Sequence, residues 1–567
     1  MAVEARRSVR VDHTDLWRAS PDYEDYEREF IKLHFPIYCE QYGKPSGYDD
    51  MEKYKKCLRW DLKGALLDDR LEENVPREWT RKTKLTRGGI LTVILLAHHF
   101  KNIVLTPLKP DASTIPAVYD FDKMMYVPVE QADWVYQEIE ALASKSMTDK
   151  QVKDTYITAI ALSETVTIRR NRNEIPCENY IYDESTGKKI EYGPDVYLLN
   201  HGHIDYNPKA KNPHFYNKKD GTTWDWDSWL LDLFDGDEEM VDLFYQIVAR
   251  IIRPFRPWVG VAMFVGDRGN NGKGTLIHMM RHLVGQGAYA PIDFAEFAER
   301  FGLNGLIGAQ CILCDENDMD YLFTGNKRLK AATDGDSELY IELKYRPDKI
   351  PITFPGFVVE CVNDLPRMTD KTDSMYRRII PVPFNKCFTG IKREYIKEEY
   401  LISPEVLEYV KRRAIETEIK SLEEAHLPKR SQELLAAYKI YNDPIRAFWT
   451  EVRDQLVWNT YPTDMVYDLY ASWFKRNNPS GRPVGKNTFK QNFKRMLDDD
   501  SNWEARFEQN QKISKDPSGT LPAEPLIAEY NLTQWYNPNY RGTNLNQRIT
   551  GANVKDRFRG ILRVNKQ

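Results

Sequence analysis

No apolar run in this chain is long enough to cross a bilayer. The longest, residues 90–97, falls far short of the roughly 20 residues that a spanning helix needs. The opening MAVEARRSVRVDHTD has no apolar segment either, so no secretory signal is expected there. Cysteine is scarce: seven in 567 residues, scattered and odd in number, which argues against a disulfide framework and for a reducing compartment. Cys311 and Cys314 have C-x-x-C spacing, but no second pair stands nearby. A structural zinc takes four ligands, so a buried strand is the reading preferred there. The net charge of only -5 confines any nucleic-acid surface to a local patch. What is present is ordinary for packed cores, 41% hydrophobic and 29% charged, at a length that predicts three or four domains. The expectation is a soluble intracellular protein with no membrane partner.

The most informative stretch is 263–280, MFVGDRGNNGKGTLIHMM. An apolar run at 259–265 predicts a buried strand, and 276–283 has helical spacing. Between them lie Gly266, Gly269, Asn270, Asn271, Gly272, Lys273, Gly274 and Thr275. Strand, glycine loop and helix form the context in which backbone N–H groups and a helix N-terminus cradle a polyphosphate. Lys273 would reach the outer phosphates, and Thr275 is the nearest hydroxyl for a magnesium ion. The usual spelling G-x-x-x-x-G-K-[ST] is missed twice: Asp267 occupies the first glycine place, and Gly274 follows the lysine.

Downstream, QCILCDE (310–316) reads as a second buried strand ending in Asp315 and Glu316. Acids at that place would hold magnesium and polarise an attacking water. Residues 338–354 alternate, turn at Pro-Asp and alternate back, which predicts a hairpin with Arg346 and Lys349 near its tip. Such cations suit a nucleic-acid backbone, and a solvated turn is the competing reading. Residues 357–362 predict a third buried strand that runs into Asn363, placed to bond a water or a phosphate; a turn-forming asparagine is the alternative. Arg377 and Arg378 precede a further strand and suit a charge clamp on a transferring phosphoryl group, or a surface ion pair.

Elsewhere the chemistry is thinner. Residues 1–85 look helical and aromatic-rich, with His34, Tyr38 and Trp60 as core pieces and no paired carboxylates of a primase kind. Asp120 and Asp122 would share a strand face at the edge of a small strand pair, without partners for a metal. Arg169, Arg170 and Arg172 end a charged helical stretch and read as a solvated helix end, with contact to a phosphate backbone as the alternative. Residues 485–497 put Phe489, Phe493 and Leu497 on one helix face with Lys486, Lys490 and Lys494 alongside, as in a winged-helix recognition helix. The tail beyond is basic, from Arg541 to Arg563.

GDRGNNGKGT, ILCDE, LKAATDGD, VNDLP and YRRIIPVPF, in that order, resemble the motifs of superfamily 3 helicases. Among these the chain is most similar to the poxvirus-type primase–helicase group of viruses, phages and mobile elements. The resemblance spans about 100–390, with a weaker echo to about 500. It implies an α/β fold with an AAA+ P-loop ATPase core, a mainly helical N-terminal region (1–100), a pre-helicase domain (101–250), the helicase core (251–395) and a C-terminal winged-helix-like region (396–567). By position, Lys273 and Thr275 match the phosphate loop, Asp315 and Glu316 the second ATP motif, and Asn363 the sensor. Arg377 or Arg378 matches the arginine finger, while Lys344, Arg346 and Lys349 fall in the pore hairpin. The implied activity is ATP- and magnesium-dependent translocation on single-stranded DNA, 3′ to 5′, by a hexameric ring acting on forks. A separate primase or initiator would be its partner, in a bacterial cytoplasm or a viral replication compartment. An AAA+ initiator that remodels origin DNA without processive unwinding is the alternative. A P-loop small-molecule kinase would leave the sensor, the arginine pair and the hairpin without a role.

Overall fold

The computed structural model describes residues 77, 80–81, 84–86, 89–90, 93, 100–106, 108–109, 113–120, 123–129, 148–256, 259–266, 269–317, 323–335, 337–343, 348–388, 393–419, 427–498, 500–515 and 521–564. Nearly all of the expected N-terminal helical region, with Asp122, Asp267, Lys344 and Arg346, lies outside the described residues. The described chain is mixed α/β and packs as two units. One is formed from Met1–Asp370 with Arg377–Ser431, the other from Lys371–Tyr376 with Gln432–Gln567.

The first unit begins with a small sheet of β1 (Phe100–Val104), β2 (Ile115–Asp120), β3 (Met125–Pro128) and, after helix α1 (Asp149–Leu162), β4 (Glu164–Thr167). The order is β3-β2-β1-β4, with β4 parallel to β1 and the other pairs antiparallel. Asp120 therefore sits on an interior strand; β3 is the edge. A three-stranded antiparallel sheet at 174–191 and a two-stranded ribbon at 214–225 follow, then α2 (Trp226–Leu233) and α3 (Glu238–Ile251). Asp225 and Asp237 cap these helices through Ser228 N and Met240 N, satisfying donors that the first turn leaves open.

The centre of this unit is a five-stranded parallel sheet. Its strands are β5 (Val261–Val265), β6 (Tyr289–Ala290), β7 (Cys311–Cys314), β10 (Phe357–Val362) and β11 (Ile379–Pro383), in the order β6-β7-β10-β5-β11. VAMFV, CILC, FVVECV and IIPVP are buried throughout, as expected for parallel strands covered on both faces. Cys311 and Cys314 are thus strand residues, as read from sequence. One apolar cluster joins Phe264, Leu313, Val359 and Val382 of the sheet to α2, α3, α4 (Lys273–Val284) and α6 (Pro404–Glu416). Helix α5 (Asn326–Asp334) precedes an antiparallel hairpin, β8 (Glu338–Glu342) with β9 (Lys349–Thr353), which pairs in full register from Glu338↔Thr353 to Glu342↔Lys349. Residues 396–419 and 427–431 pack with this first unit rather than with the second.

The second unit runs α7 (Pro444–Val452), β12 (Thr460–Pro462), α8 (Thr463–Asn477), α9 (Lys486–Asp498), β13 (Trp503–Arg506) and β14 (Gly560–Arg563). The strands form an antiparallel sheet in the order β12-β14-β13. Phe489, Phe493 and Leu497 are the buried face of α9, as their spacing predicts.

Candidate functional site

The C-terminal edge of the parallel sheet, where ligands of open α/β sheets bind, brings together residues from three strand ends. The loop after β5 turns through Asn270 (φ 58°) and Gly272 (φ 87°), left-handed conformations that favour asparagine and glycine. It is held from outside by Phe388 N, which donates to Asn270 O at 2.9 Å, and by Cys387 Sγ, 3.3 Å from Gly269 O. Lys273 opens α4 and is 9% exposed. Its Nζ donates to the Gly266 carbonyl and, at 3.4 Å, to Asn363 Oδ1 at the end of β10. Asn271 is buried, and among the described residues its Nδ2 has no hydrogen-bond partner. A buried donor without a partner costs free energy unless a ligand or water meets it. Here it lies within a loop of glycines at a helix N-terminus.

Asp315, at the end of β7, packs against the first turn of α4. A Cβ built on Gly274 would lie 2.8 Å from Asp315 Oδ1. That contact accounts for the irregular spelling: a side chain at 274 would displace the carboxylate. Thr275 is one residue on, about 100° around the helix, and half-buried; Glu316 is exposed. Gly274→Ala is expected to displace Asp315 and, on the ATPase reading proposed below, to lower turnover by about 10- to 100-fold with little change in KM. Steady-state phosphate release measures it.

Behind this edge lies a residue that the sequence pattern hides. Glu360 is fully buried in the middle of β10, beside Met263 and Cys314 on the flanking strands. Asn317 donates to Glu360 Oε2 at 2.9 Å and to Cys361 O at 3.0 Å, and its Oδ1 accepts from Phe294 N at 2.9 Å. Asn317 thereby ties the acidic strand end to the strand that carries Asn363. Burial drives the Glu360 carboxyl well above the ordinary carboxylate range, against the lowering effect of the Asn317 bond. A carboxyl with a raised folded-state pKa loses stability as pH climbs from its unfolded value toward the folded one. Glu360→Gln is therefore expected to raise Tm at pH 8 and to leave it unchanged near pH 4, in thermal melts at the two pH values.

The arginine pair divides. Arg378 is buried, with Nη2 2.8 Å from Asp334 Oδ1, whereas Arg377 is exposed. Both precede β11, whose first residue, Ile379, pairs with Val261 at the start of β5. The glycine loop follows the other end of β5. A five-residue strand spans about 16 Å, so Arg377 stands on the opposite edge of the sheet from Lys273.

The cations proposed for nucleic acid are distributed as follows. Lys349, at the base of the undescribed hairpin tip, pairs with Glu342 at 2.8 Å, and Glu342 also pairs with Arg300 at 2.6 Å. Lys486 pairs with Asp464 at 2.8 Å and Lys494 with Glu508 at 2.9 Å, while Lys490 is half-buried on the same helix. Of the three arginines expected to be solvated, Arg172 is exposed, whereas Arg169 bridges Glu174 at 2.6 Å and Arg170 bonds two backbone carbonyls. Among the described residues no helix is long and apolar enough to cross a membrane.

The fold and this edge define a mixed α/β protein with a glycine loop, a lysine, an acidic strand end and a polar strand end gathered at one sheet edge. Residues 264–378 match a family described as a family of unknown function, DUF5906, and residues 441–520 match one described as Poxvirus D5 protein-like. Together with the ordered motifs, these make the chain similar to the superfamily 3, poxvirus-type primase–helicases. Of solved structures, "The A form apo structure of NrS-1 C terminal region-CTR" is 14% identical at TM-score 0.42, covering 77% of this chain and 88% of that one. An inhibitor-bound JCV Helicase structure is 15% identical at TM-score 0.19, covering 37% of this chain and 64% of that one. A search of curated proteins found no match.

Proposed function

We propose that the chain is an ATP-dependent DNA helicase whose first unit is an AAA+ core acting in a ring, hexameric by the family's pattern. The observation that carries this reading is the meeting of Lys273, Asn363 and Asp315 at one sheet edge while Arg377 stands at the other. A subunit so built holds Arg377 away from its own phosphates, where it is offered to a neighbour's. The strand order, with β5 between β10 and β11, fits the AAA+ reading.

The residues present fit ATP and magnesium. Gly266, Gly269, Asn270, Asn271, Gly272, Lys273, Gly274 and Thr275 would cradle the phosphates, and the Asn271 amide, without a partner among the described residues, supplies a donor there. Asp315 and Thr275 are oxygen donors suited to magnesium, which takes few protein ligands and otherwise water and phosphate oxygens. Bound, the ion would neutralise charge on the phosphates. Lys273 orients the outer phosphate, Asn363 holds the lysine and faces the attacking water, and Glu316 accepts a proton from that water.

Single-stranded DNA would be tracked by Lys344, Arg346 and Lys349 of the hairpin, 3′ to 5′ by the family's pattern. The helices and three-stranded sheet of the second unit support a winged-helix-like module in which Lys486, Lys490 and Lys494 meet phosphates. That helix favours, as a second reading, an AAA+ initiator or loader that remodels origin DNA. Unwinding of a labelled fork with ATP and magnesium separates them. Processive strand displacement supports the helicase, whereas DNA binding with ATP turnover but no displacement supports the initiator. A viral or mobile-element replication compartment, or its bacterial host's cytoplasm, with a separate primase or initiator as partner, is the setting this function implies.

A further inference from the structure

A two-stranded ribbon is at best marginally stable by itself, so the β8–β9 hairpin needs support at its base. That base is gripped by the small sheet at its start. Thr106 Oγ1, just past β1, is buried 2.6 Å from Thr353 Oγ1, the last residue of β9. Arg170, just past β4, donates from Nη2 to Thr353 O at 2.5 Å and to Leu105 O at 3.0 Å. Lys109 Nζ is bonded to Glu338 Oε2 at 2.6 Å and to the Tyr340 hydroxyl at 2.9 Å, and stands 5.5 Å from the centre of that ring. Glu338 and Thr353 are cross-strand partners, so the three grips close on the terminal pair of the hairpin. Desolvation pushes the Arg170 guanidinium down to about 10, the mark of a cation that serves carbonyls away from solvent.

We propose that Thr106, Lys109 and Arg170 are positioning residues that fix the base of the hairpin to the sheet of residues 100–167, so that hairpin and sheet move as one body when the hairpin is loaded by a nucleic-acid strand. This rests on the reading of the hairpin as a DNA-tracking element. It gives the small sheet a role: holding the register of the strand-tracking element while the ATPase edge turns over.

Two variants of the full chain test it, Arg170→Gln and the paired Thr106→Val/Thr353→Val. The paired change removes both hydroxyls together, so that neither orphans the other; the Leu108 amide, which also donates to Thr106 Oγ1 at 3.3 Å, belongs to an exposed residue that can turn to water. Amide exchange over 338–353, followed by mass spectrometry, is expected to quicken by about tenfold in either variant. The increment of ATP turnover caused by a poly-dT oligonucleotide is expected to fall about fivefold, with turnover in the absence of DNA unchanged. Exchange as slow as in the natural chain would overturn the grip. A proportional loss of basal and stimulated turnover would overturn positioning in favour of general destabilisation. Lys349→Ala serves as the control on the underlying reading. If it leaves DNA stimulation intact, the hairpin does not track DNA and the coupling falls, while the exchange result still decides whether the grip exists.

Discussion

Replacing Lys273 with alanine is expected to reduce ATP turnover by about 10²- to 10³-fold, the usual loss when one preorganised donor to a developing anionic oxygen is removed. The ammonium is held in place. It is nine-tenths buried, tethered to Gly266 O and Asn363 Oδ1, and aimed from the first residue of α4 into the loop. Alanine removes the cation without disturbing the left-handed turns at Asn270 and Gly272 that shape the loop. Nucleotide-dependent stabilisation in a thermal melt separates lost binding from lost chemistry. Turnover within twofold of the natural chain would remove this edge from consideration as the ATP site.

Arg377→Ala is expected to cost still more, about 10³-fold or beyond, the range for a charge clamp supplied by a neighbouring subunit. The neighbouring Arg378→Ala should behave differently. Arg378 is buried and paired with Asp334, whose carboxylate is 42% exposed and also accepts from Ser337 Oγ, so its loss acts on stability rather than chemistry, by about 1 kcal/mol from the pair, seen as a slightly lowered Tm. Mixing Arg377→Ala with Lys273→Ala protein should restore part of the turnover. A mixed ring contains interfaces at which an intact Arg377 faces an intact Lys273. Mixtures with no recovery, under conditions where subunits exchange, would mean that Arg377 does not act across subunits.

Apolar runs predict strands well when both faces are covered, and so 261–265, 311–314 and 357–362 were legible as the strands they are. The same density of apolar residues hid Glu360, because a lone acid inside FVVECV carries no periodic signal of its own. Its only trace is that a charge in a fully buried strand is rare and demands a partner, here Asn317, 43 residues earlier. Arg169 and Arg170 misled for the opposite reason. Composition marks a cationic cluster as solvent-facing, while Arg170 meets Thr353, 183 residues away. The hairpin at 338–353 was predicted by alternation, but nothing in alternation says what holds its base.

The amino-acid sequence alone determined that 261–265, 311–314 and 357–362 are strands, that 338–353 is a hairpin, that a glycine loop lies between β5 and α4, and the order of the motifs. Each of these is a local matter of periodicity, backbone freedom and turn chemistry. Only the tertiary structure decided that Asn363 meets Lys273, that Gly274 rather than Thr275 faces Asp315, and that Arg377 is exposed while Arg378 is paired. It also decided that a small sheet formed far earlier in the chain grips the hairpin. Those outcomes depend on strand order, register and side-chain direction, which are set by how faces pack and which no single stretch of residues encodes.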